Sequence, residues 1–181
     1  GSISDDSEKA WALSIIAWRL AKAGQTQQAL LIFNKALNVA GSISDDSEKA
    51  LTLRNIASEL TEAGQFNKAV TVAGSISDDH YKAWALSNIA SELAKAGQTQ
   101  KALLIFDDAL NAAGSISDDY DSDDSEKAEA LKDIAVELAE AGQFDKALNV
   151  AGSISDDSDS DNSAKAEALS KIASELAKAG Q

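Results

Sequence analysis

Residues Gly74–Asp79, with the sequence GSISDD, form the stretch that decides the fold, because the same six letters also begin at Gly1, Gly41, Gly114 and Gly152. The chain therefore consists of five copies of one unit, spaced 33 to 40 residues apart. A glycine after an alanine-rich run can adopt the left-handed conformation that ends a helix, and Ser and Asp side chains cap the helix that follows. We predict that each hexapeptide joins two helices.

The hexapeptide carries further signals for a helix end and a helix start. Ile76 lies between polar residues, where it can make the hydrophobic contact that often accompanies a helix end. In the first two copies, Asp5 and Asp45 precede Glu8 and Glu48 by three residues. This spacing resembles a capping box and places acidic groups at the positive end of the helix dipole.

Between the hexapeptides, each complete copy predicts a helical hairpin that turns at an Ala-Gly-Gln sequence. In the first copy, apolar residues at spacings of three and four predict helices over residues 7–23 and 26–40. The second copy is seven residues shorter, which leaves only Phe66–Ala73 for its second helix. Seven residues are nearly two helical turns, so the shorter helix keeps its buried face.

Repetition at this period predicts an all-α solenoid of stacked antiparallel hairpins with nine helices. We expect one repeat domain over residues 1–181, with copies at 1–40, 41–73, 74–113, 114–151 and 152–181. The last copy supplies one helix, which we expect to cap the array. The acidic segments 117–124 and 155–162 precede the first helices of copies four and five and are predicted to be loops, since five inserted residues would disrupt the helical phase.

The charge and composition exclude several classes of function. The net charge is −14 and the chain has no basic cluster, so nucleic acid is not expected as a partner. It lacks cysteine, an apolar stretch long enough to span a bilayer, and a leader-like segment. These absences favour a soluble, cytoplasmic protein. Because the chain starts inside a joint and contains no Met, we expect it to be an excised or engineered segment of a longer array.

The first and third copies resemble the tetratricopeptide repeat, a helix-turn-helix unit that stacks into a right-handed superhelix. The third copy shows the motif's order of large, small and aromatic residues in Leu86, Ala90, Leu93, Gly97, Ala102, Phe106 and Ala109. The first copy shows it in Leu13, Ala17, Leu20, Gly24, Ala29, Phe33 and Ala36. The motif's usual proline is missing, and copies two and four lack the end of the motif.

The resemblance implies a non-enzymatic scaffold that binds a peptide or protein in a concave groove lined by first helices. Five first-helix positions vary between copies, whereas the Leu, Ile and Ala positions barely change. The predicted partner-binding residues lie at these variable positions: Trp11, Ile15, Trp18, Arg54, Asn55, Trp84, Asn88 and Lys132. Aromatic and Arg side chains often dominate interface energy, and Asn can pair with a peptide backbone.

Alternative interpretations stay open for the aromatic residues and for the array as a whole. Trp11 and Trp84 occur only in long copies, so they could instead fill space against a neighbouring helix. The stripe of Trp11, Ile15 and Trp18 could cover a missing neighbour or a second molecule. The sequence is therefore also compatible with an idealised array that self-associates through its ends and has no natural ligand.

Neither metal binding nor enzyme activity is expected from the sequence. Asp119 and Asp157 begin Asp-x-Asp-x-Asp sequences like the opening of an EF-hand loop, but the required Gly and Glu do not follow. An acidic calcium-responsive spacer is thus a weaker alternative, and no metal or cofactor is predicted. His80 is the one histidine and suits a capping or surface role. With no cysteine and no second histidine, no nucleophile and base can be paired, so we expect no enzyme activity.

Overall fold

The computed structural model describes residues 3–117, 125–154 and 163–180. Over these residues the chain is all-helical, with nine helices and no strand, which confirms the predicted all-α class, while the solenoid arrangement stays a prediction. The helices are α1 (Ile3–Lys22), α2 (Thr26–Gly41), α3 (Asp46–Glu62), α4 (Phe66–Gly74), α5 (Asp79–Lys95), α6 (Thr99–Ser115), α7 (Ser125–Glu140), α8 (Phe144–Ser153) and α9 (Ser163–Lys178). Copies one to four each contribute a hairpin, and copy five contributes α9.

The chain divides into two compact units, unit 1 (Gly1–Ala85) and unit 2 (Leu86–Gln181), and the division falls within α5. In unit 1, α1 packs against α2 and α3, and α3 packs against α2 and α4. In unit 2, α7 packs against α6, α8 and α9, and α8 also packs against α9. Each unit therefore contains a contact between the first helices of consecutive copies. The expected single repeat domain stays a prediction.

Each unit buries most of the residues that the helical periodicity assigned to its core. Phe33 of α2 is 0% exposed in unit 1, and Phe106 of α6 is 0% exposed in unit 2. The first-helix isoleucines Ile56 and Ile134 are also fully buried. Most other core positions are alanine, whose small side chain allows helices to approach closely. The apolar period thus predicted most core positions correctly, but it was wrong for Ile16 and Ala23 of α1, which are exposed.

The turn inside each hairpin depends on a glycine in the left-handed conformation. Gly64 has φ +71°, and its N–H donates to the Thr61 carbonyl at 2.9 Å. The Gln65 N–H donates to the Leu60 carbonyl at 2.8 Å. These two bonds form a Schellman motif, which satisfies carbonyls at the end of α3. The corresponding glycines also have positive φ: Gly24, Gly97 and Gly142.

The prediction that the hexapeptide glycine adopts a left-handed conformation is wrong. Gly74 is the last residue of α4, and its φ is not positive. The helix instead tightens after it, since the Ser75 N–H donates to the Val72 carbonyl at 3.0 Å and the Ile76 N–H to the Ala73 carbonyl at 3.1 Å. A 3₁₀-type end of this kind satisfies the last carbonyls without a positive φ. Ile76 is 1% exposed, as expected of an apolar contact at a helix end.

The predicted helix caps are present in the second copy but not in the first. The Asp45 carboxylate accepts a hydrogen bond from the Glu48 N–H at 2.8 Å, and Asp78 accepts one in the same way from the Tyr81 N–H at 2.9 Å. In the first copy, α1 begins at Ile3 and already includes Asp5, so the cap predicted there is wrong. Acidic residues also suit the first turn of a longer helix, where they complement its dipole.

The two acidic loops predicted from the sequence lie almost entirely outside the described residues, which omit 118–124 and 155–162. The calcium hypothesis depends on these segments and stays a prediction. None of the described helices combines the length and apolar character needed to cross a bilayer.

Candidate partner-binding surface

The first helix of unit 1 carries three of the predicted partner-binding residues. Trp11, Ile15 and Trp18 follow one another at spacings of four and three, so they share one side of α1. Trp11 is 53% exposed, whereas Ile15 and Trp18 are half-buried. The Lys22 ammonium lies 5.8 Å from the centroid of the Trp18 ring, within the range of cation–π attraction. α1 therefore presents an aromatic stripe that ends at a cation.

Arg54 of α3 lies against two aromatic rings of α5. The central carbon of its guanidinium is 3.8 Å from the centroid of Trp84 and 5.9 Å from that of Tyr81. Its Nε is buried and has no hydrogen-bond partner in the described part of the chain. Burial lowers the pKa of Arg54, and Tyr81 has an opposing effect, but a guanidinium stays protonated at physiological pH. Arg54 is thus a stacked, permanently charged cation.

Arg54 and Trp84 have equivalents in unit 2 that also contact each other, the ion pair of Lys132 and Glu167. Arg54 and Lys132 occupy one first-helix position, and Trp84 and Glu167 occupy another position in the copy that follows. The Lys132 ammonium lies 3.7 Å from the Glu167 carboxylate. These positions therefore meet where the first helix of one copy stacks on the first helix of the next.

Lys132 is engaged by acidic neighbours within unit 2. Its side chain is only 12% exposed, and its ammonium bonds to Glu129 and lies 3.7 Å from Asp133. Burial acts to lower the pKa of Lys132, but the hydrogen bond to Glu129 and the nearby carboxylates raise it overall. The structure thus gives Lys132 a role in joining α7 to α9, and its predicted contact with a partner stays a prediction.

The remaining predicted residues are half-buried. Trp84 contacts Arg54, which favours the packing interpretation for this tryptophan. Asn55 lies on α3 in unit 1, next to Arg54 in the sequence, and Asn88 lies on α5 in unit 2. Of the predicted set, the structure therefore brings Arg54 and Trp84 into direct contact.

Tyr81 belongs to this surface, although it was not among the residues predicted from the sequence. It precedes Trp84 by three residues, which places the two rings on one face of α5. Its ring also meets His80 edge-on, with the centroids 5.7 Å apart. The aromatic pair at helical spacing was the signal that could have identified Tyr81.

A buried carboxyl group in unit 2 was also missed. Oε2 of Glu137 is buried and has no hydrogen-bond partner within the described residues. Burial raises the pKa of Glu137, and the charges of Glu140 and Asp133 add to the rise, while Ser91 and Lys95 oppose it. Burial has the largest effect, so the pKa is raised overall. A carboxylate at this site is destabilised at neutral pH.

The Glu137→Gln variant is therefore expected to be more stable than the unmodified chain at neutral pH. A carboxyl whose pKa is raised on folding loses stability as the pH rises from its usual value, 4.5, through the raised one. Glutamine stays neutral, so the gain should be present at pH 7 and should disappear below about pH 4. Urea unfolding at several pH values measures it. Glu126→Gln changes an exposed residue of the same helix and should give no such gain.

No group of three or more His, Asp or Glu side chains that could hold a metal ion occurs in residues 3–117, 125–154 and 163–180. The side chains described above instead supply aromatic rings, exposed apolar area and a guanidinium. These groups suit non-covalent binding of a partner.

No protein-family model matches the chain, and no curated protein matches it. Among solved structures, the chain is similar to the crystal structure of Ton1535 from Thermococcus onnurineus NA1, with a TM-score of 0.55 and 23% sequence identity. The similarity covers 93% of this chain and 47% of that one, so the chain spans about half the length of its neighbour. Similarity at this level supports an all-helical fold.

Proposed function

We propose that the chain is a non-enzymatic protein–protein interaction module that binds a peptide along the first-helix face of unit 1. The observation that carries this proposal is Arg54, a cation stacked on Trp84. Within the described residues, no carboxylate forms an ion pair with Arg54. A guanidinium held in this way is suited to a carboxylate of a bound peptide, because charge-assisted hydrogen bonds to carboxylates are strong and directional.

Aromatic side chains of α1, in the same unit as Arg54, support a peptide that combines a carboxylate with apolar side chains. Trp11 is exposed on α1, and Trp18 is partly accessible on the same side. Indole rings offer large contact areas at low entropic cost. Because the whole chain carries a net charge of −14, basic residues elsewhere in the peptide would favour encounter.

We also propose that the copies are of the tetratricopeptide kind. The second-helix positions of the motif are buried in both long copies. In unit 1 these are Ala29, Phe33 and Ala36, and in unit 2 they are Ala102, Phe106 and Ala109, each no more than 1% exposed. Consecutive first helices contact each other in each unit, as stacking of such repeats requires. These features support the resemblance on which the proposed peptide binding rests.

Selection from a displayed peptide library on the immobilised chain tests the function. We expect enriched peptides to share a carboxylate and at least one aromatic or aliphatic residue. Arg54→Ala should weaken a resynthesised peptide by about tenfold or more, the effect of losing a charge-assisted hydrogen bond. Calorimetry measures the affinity, and circular dichroism should show unchanged helix content.

Arg19→Ala is the matched control, because Arg19 is an exposed arginine of α1 and the other arginine of the chain. It should leave the affinity of the selected peptide unchanged. Peptides that lack a carboxylate, or an equal loss of affinity in both variants, would contradict the role of Arg54. Failure to enrich any peptide would contradict the proposed function itself.

A further inference from the structure

A second surface of unit 1 lies on α1 and is separate from the Arg54 cluster. Ala12, Ile16, Arg19 and Ala23 are all exposed and follow one another at spacings of four, three and four. They therefore share one side of α1, which we call the open face. Ile16 lies at the centre of the open face and is 50% exposed. Lys22 is exposed beside Arg19. The open face is thus apolar in the middle and cationic toward the end of the helix.

In the other copies, the position of Ile16 is completely buried. Its equivalents Ile56, Ile89, Ile134 and Ile172 are each 0% exposed. In unit 1, α3 carries Ile56 and packs against the hairpin of α1 and α2. In unit 2, α9 carries Ile172 and packs against the hairpin of α7 and α8. The open face therefore corresponds in position to a surface that other copies bury against helices.

The ion pair between two first helices in unit 2 indicates which charge a helix needs if it covers the cationic end of the open face. In unit 2, the Lys95 ammonium lies 3.6 Å from the Glu140 carboxylate, and Glu137 is close enough for its charge to act on Lys95. Arg19 and Lys22 occupy the positions of Glu137 and Glu140 in the first copy. α1 thus carries positive charges where α7 carries negative ones. A helix that covers α1 in the same arrangement needs an acidic residue at the position of Lys95.

A second copy of the chain does not meet this need through α9. The residue of α9 at the position of Lys95 is Lys178. If α9 of one molecule covered α1 of another in the arrangement seen in unit 2, Lys178 would face Arg19 and Lys22. Three cations would then meet at one contact, and like charges at an interface oppose association.

We propose that the open face of α1 binds an acidic amphipathic helix of a partner protein, with a glutamate opposite Arg19 and Lys22 and small apolar side chains over Ile16. This is recognition of a helix by its apolar face, and the paired charges set its orientation. The proposal concerns a different side of α1 from the one that carries Trp11 and Trp18, although Lys22 also lies near the Trp18 ring. It does not depend on the peptide binding proposed around Arg54.

A synthetic peptide of residues 125–143, which contains α7, is a suitable probe, because α7 packs against α9 in unit 2 and carries Glu140 at the required position. We expect its titration into the full chain to shift the Ile16 methyl signal in NMR spectra. The same peptide with Glu140→Lys should bind about tenfold more weakly, since one attractive contact with two cations becomes repulsive. Added salt should narrow the difference.

Two variants of the full chain complete the test. Lys22→Glu should weaken the α7 peptide and strengthen the Glu140→Lys peptide, whereas Lys35→Glu, the same charge reversal at an exposed lysine of α2, should leave both affinities unchanged. An Ile16 signal that stays unshifted up to millimolar peptide, or equal binding of the two peptides, would overturn the proposal. Analytical ultracentrifugation of the chain alone tests whether a second copy of the chain covers the open face instead. Self-association that Lys22→Glu strengthens would identify α9 of a second copy and would also overturn the proposal.

Discussion

Replacement of Phe33 by alanine is expected to lower the free energy of unfolding by about 3–5 kcal/mol, because the ring is completely buried and its removal leaves a cavity. Phe106→Ala should have a similar effect in unit 2, where Phe106 is also 0% exposed. Losses of this size approach the total stability of many domains. We therefore expect a large fall in the midpoint of urea unfolding for each variant.

Each phenylalanine has a matched control two residues earlier in the same helix. Leu31 is 63% exposed on α2 and Leu104 is 66% exposed on α6. Their replacement by alanine should change the free energy of unfolding by less than about 0.5 kcal/mol. Comparable losses for Phe33→Ala and Leu31→Ala would contradict the assignment of Phe33 to the core.

The tryptophans allow the two units to be followed by different signals. Trp11, Trp18 and Trp84 all lie in unit 1. Indole fluorescence therefore follows the unfolding of unit 1, whereas far-ultraviolet circular dichroism follows helices of both units. Phe33→Ala should therefore lower the urea concentration at the midpoint of the fluorescence transition.

The core was predictable because its signal is periodic and repeated. Phe33 and Ile56 lie at apolar positions with helical spacing, and copies of the same pattern agree with one another. The glycines were harder to interpret. Gly64 and Gly74 both follow alanine-rich helical segments, and local sequence allows either to adopt a positive φ. The structure assigns that conformation to Gly64 alone of this pair. The preference depends on how the chain must turn, which local sequence does not specify.

The candidate site was predicted as a set of variable positions, and the contacts among these residues were only partly predictable from the sequence. Variation between copies predicts surface, but it also arises where neighbouring copies must complement one another. Arg54 with Trp84, and Lys132 with Glu167, are pairs of this second kind. They are separated by about one repeat, so their contact becomes visible only when the stacking of the copies is known. The exposed fraction of Trp11 likewise depends on which helices pack against α1, and the sequence of α1 does not specify them.

The two classes of glycine predict opposite effects of the same substitution. Gly64→Ala forces an L-residue into a left-handed conformation and should lower the free energy of unfolding by about 1 kcal/mol, although no atom would clash with the added Cβ. Gly74→Ala places alanine at the end of α4 in a helical conformation and should raise the free energy by about 0.5 kcal/mol. Its added Cβ also has open space around it.

Combining equivalent substitutions enlarges the difference, because distant sites contribute almost additively. Alanine at the four hairpin-turn positions Gly24, Gly64, Gly97 and Gly142 should lower the free energy of unfolding by about 4 kcal/mol in total. Alanine at the four joint positions Gly41, Gly74, Gly114 and Gly152 should raise it by about 2 kcal/mol. Urea unfolding of the two quadruple variants measures both totals. A loss of stability in the joint variant would contradict the helical conformation assigned to those glycines, because alanine is favoured over glycine only where φ is negative.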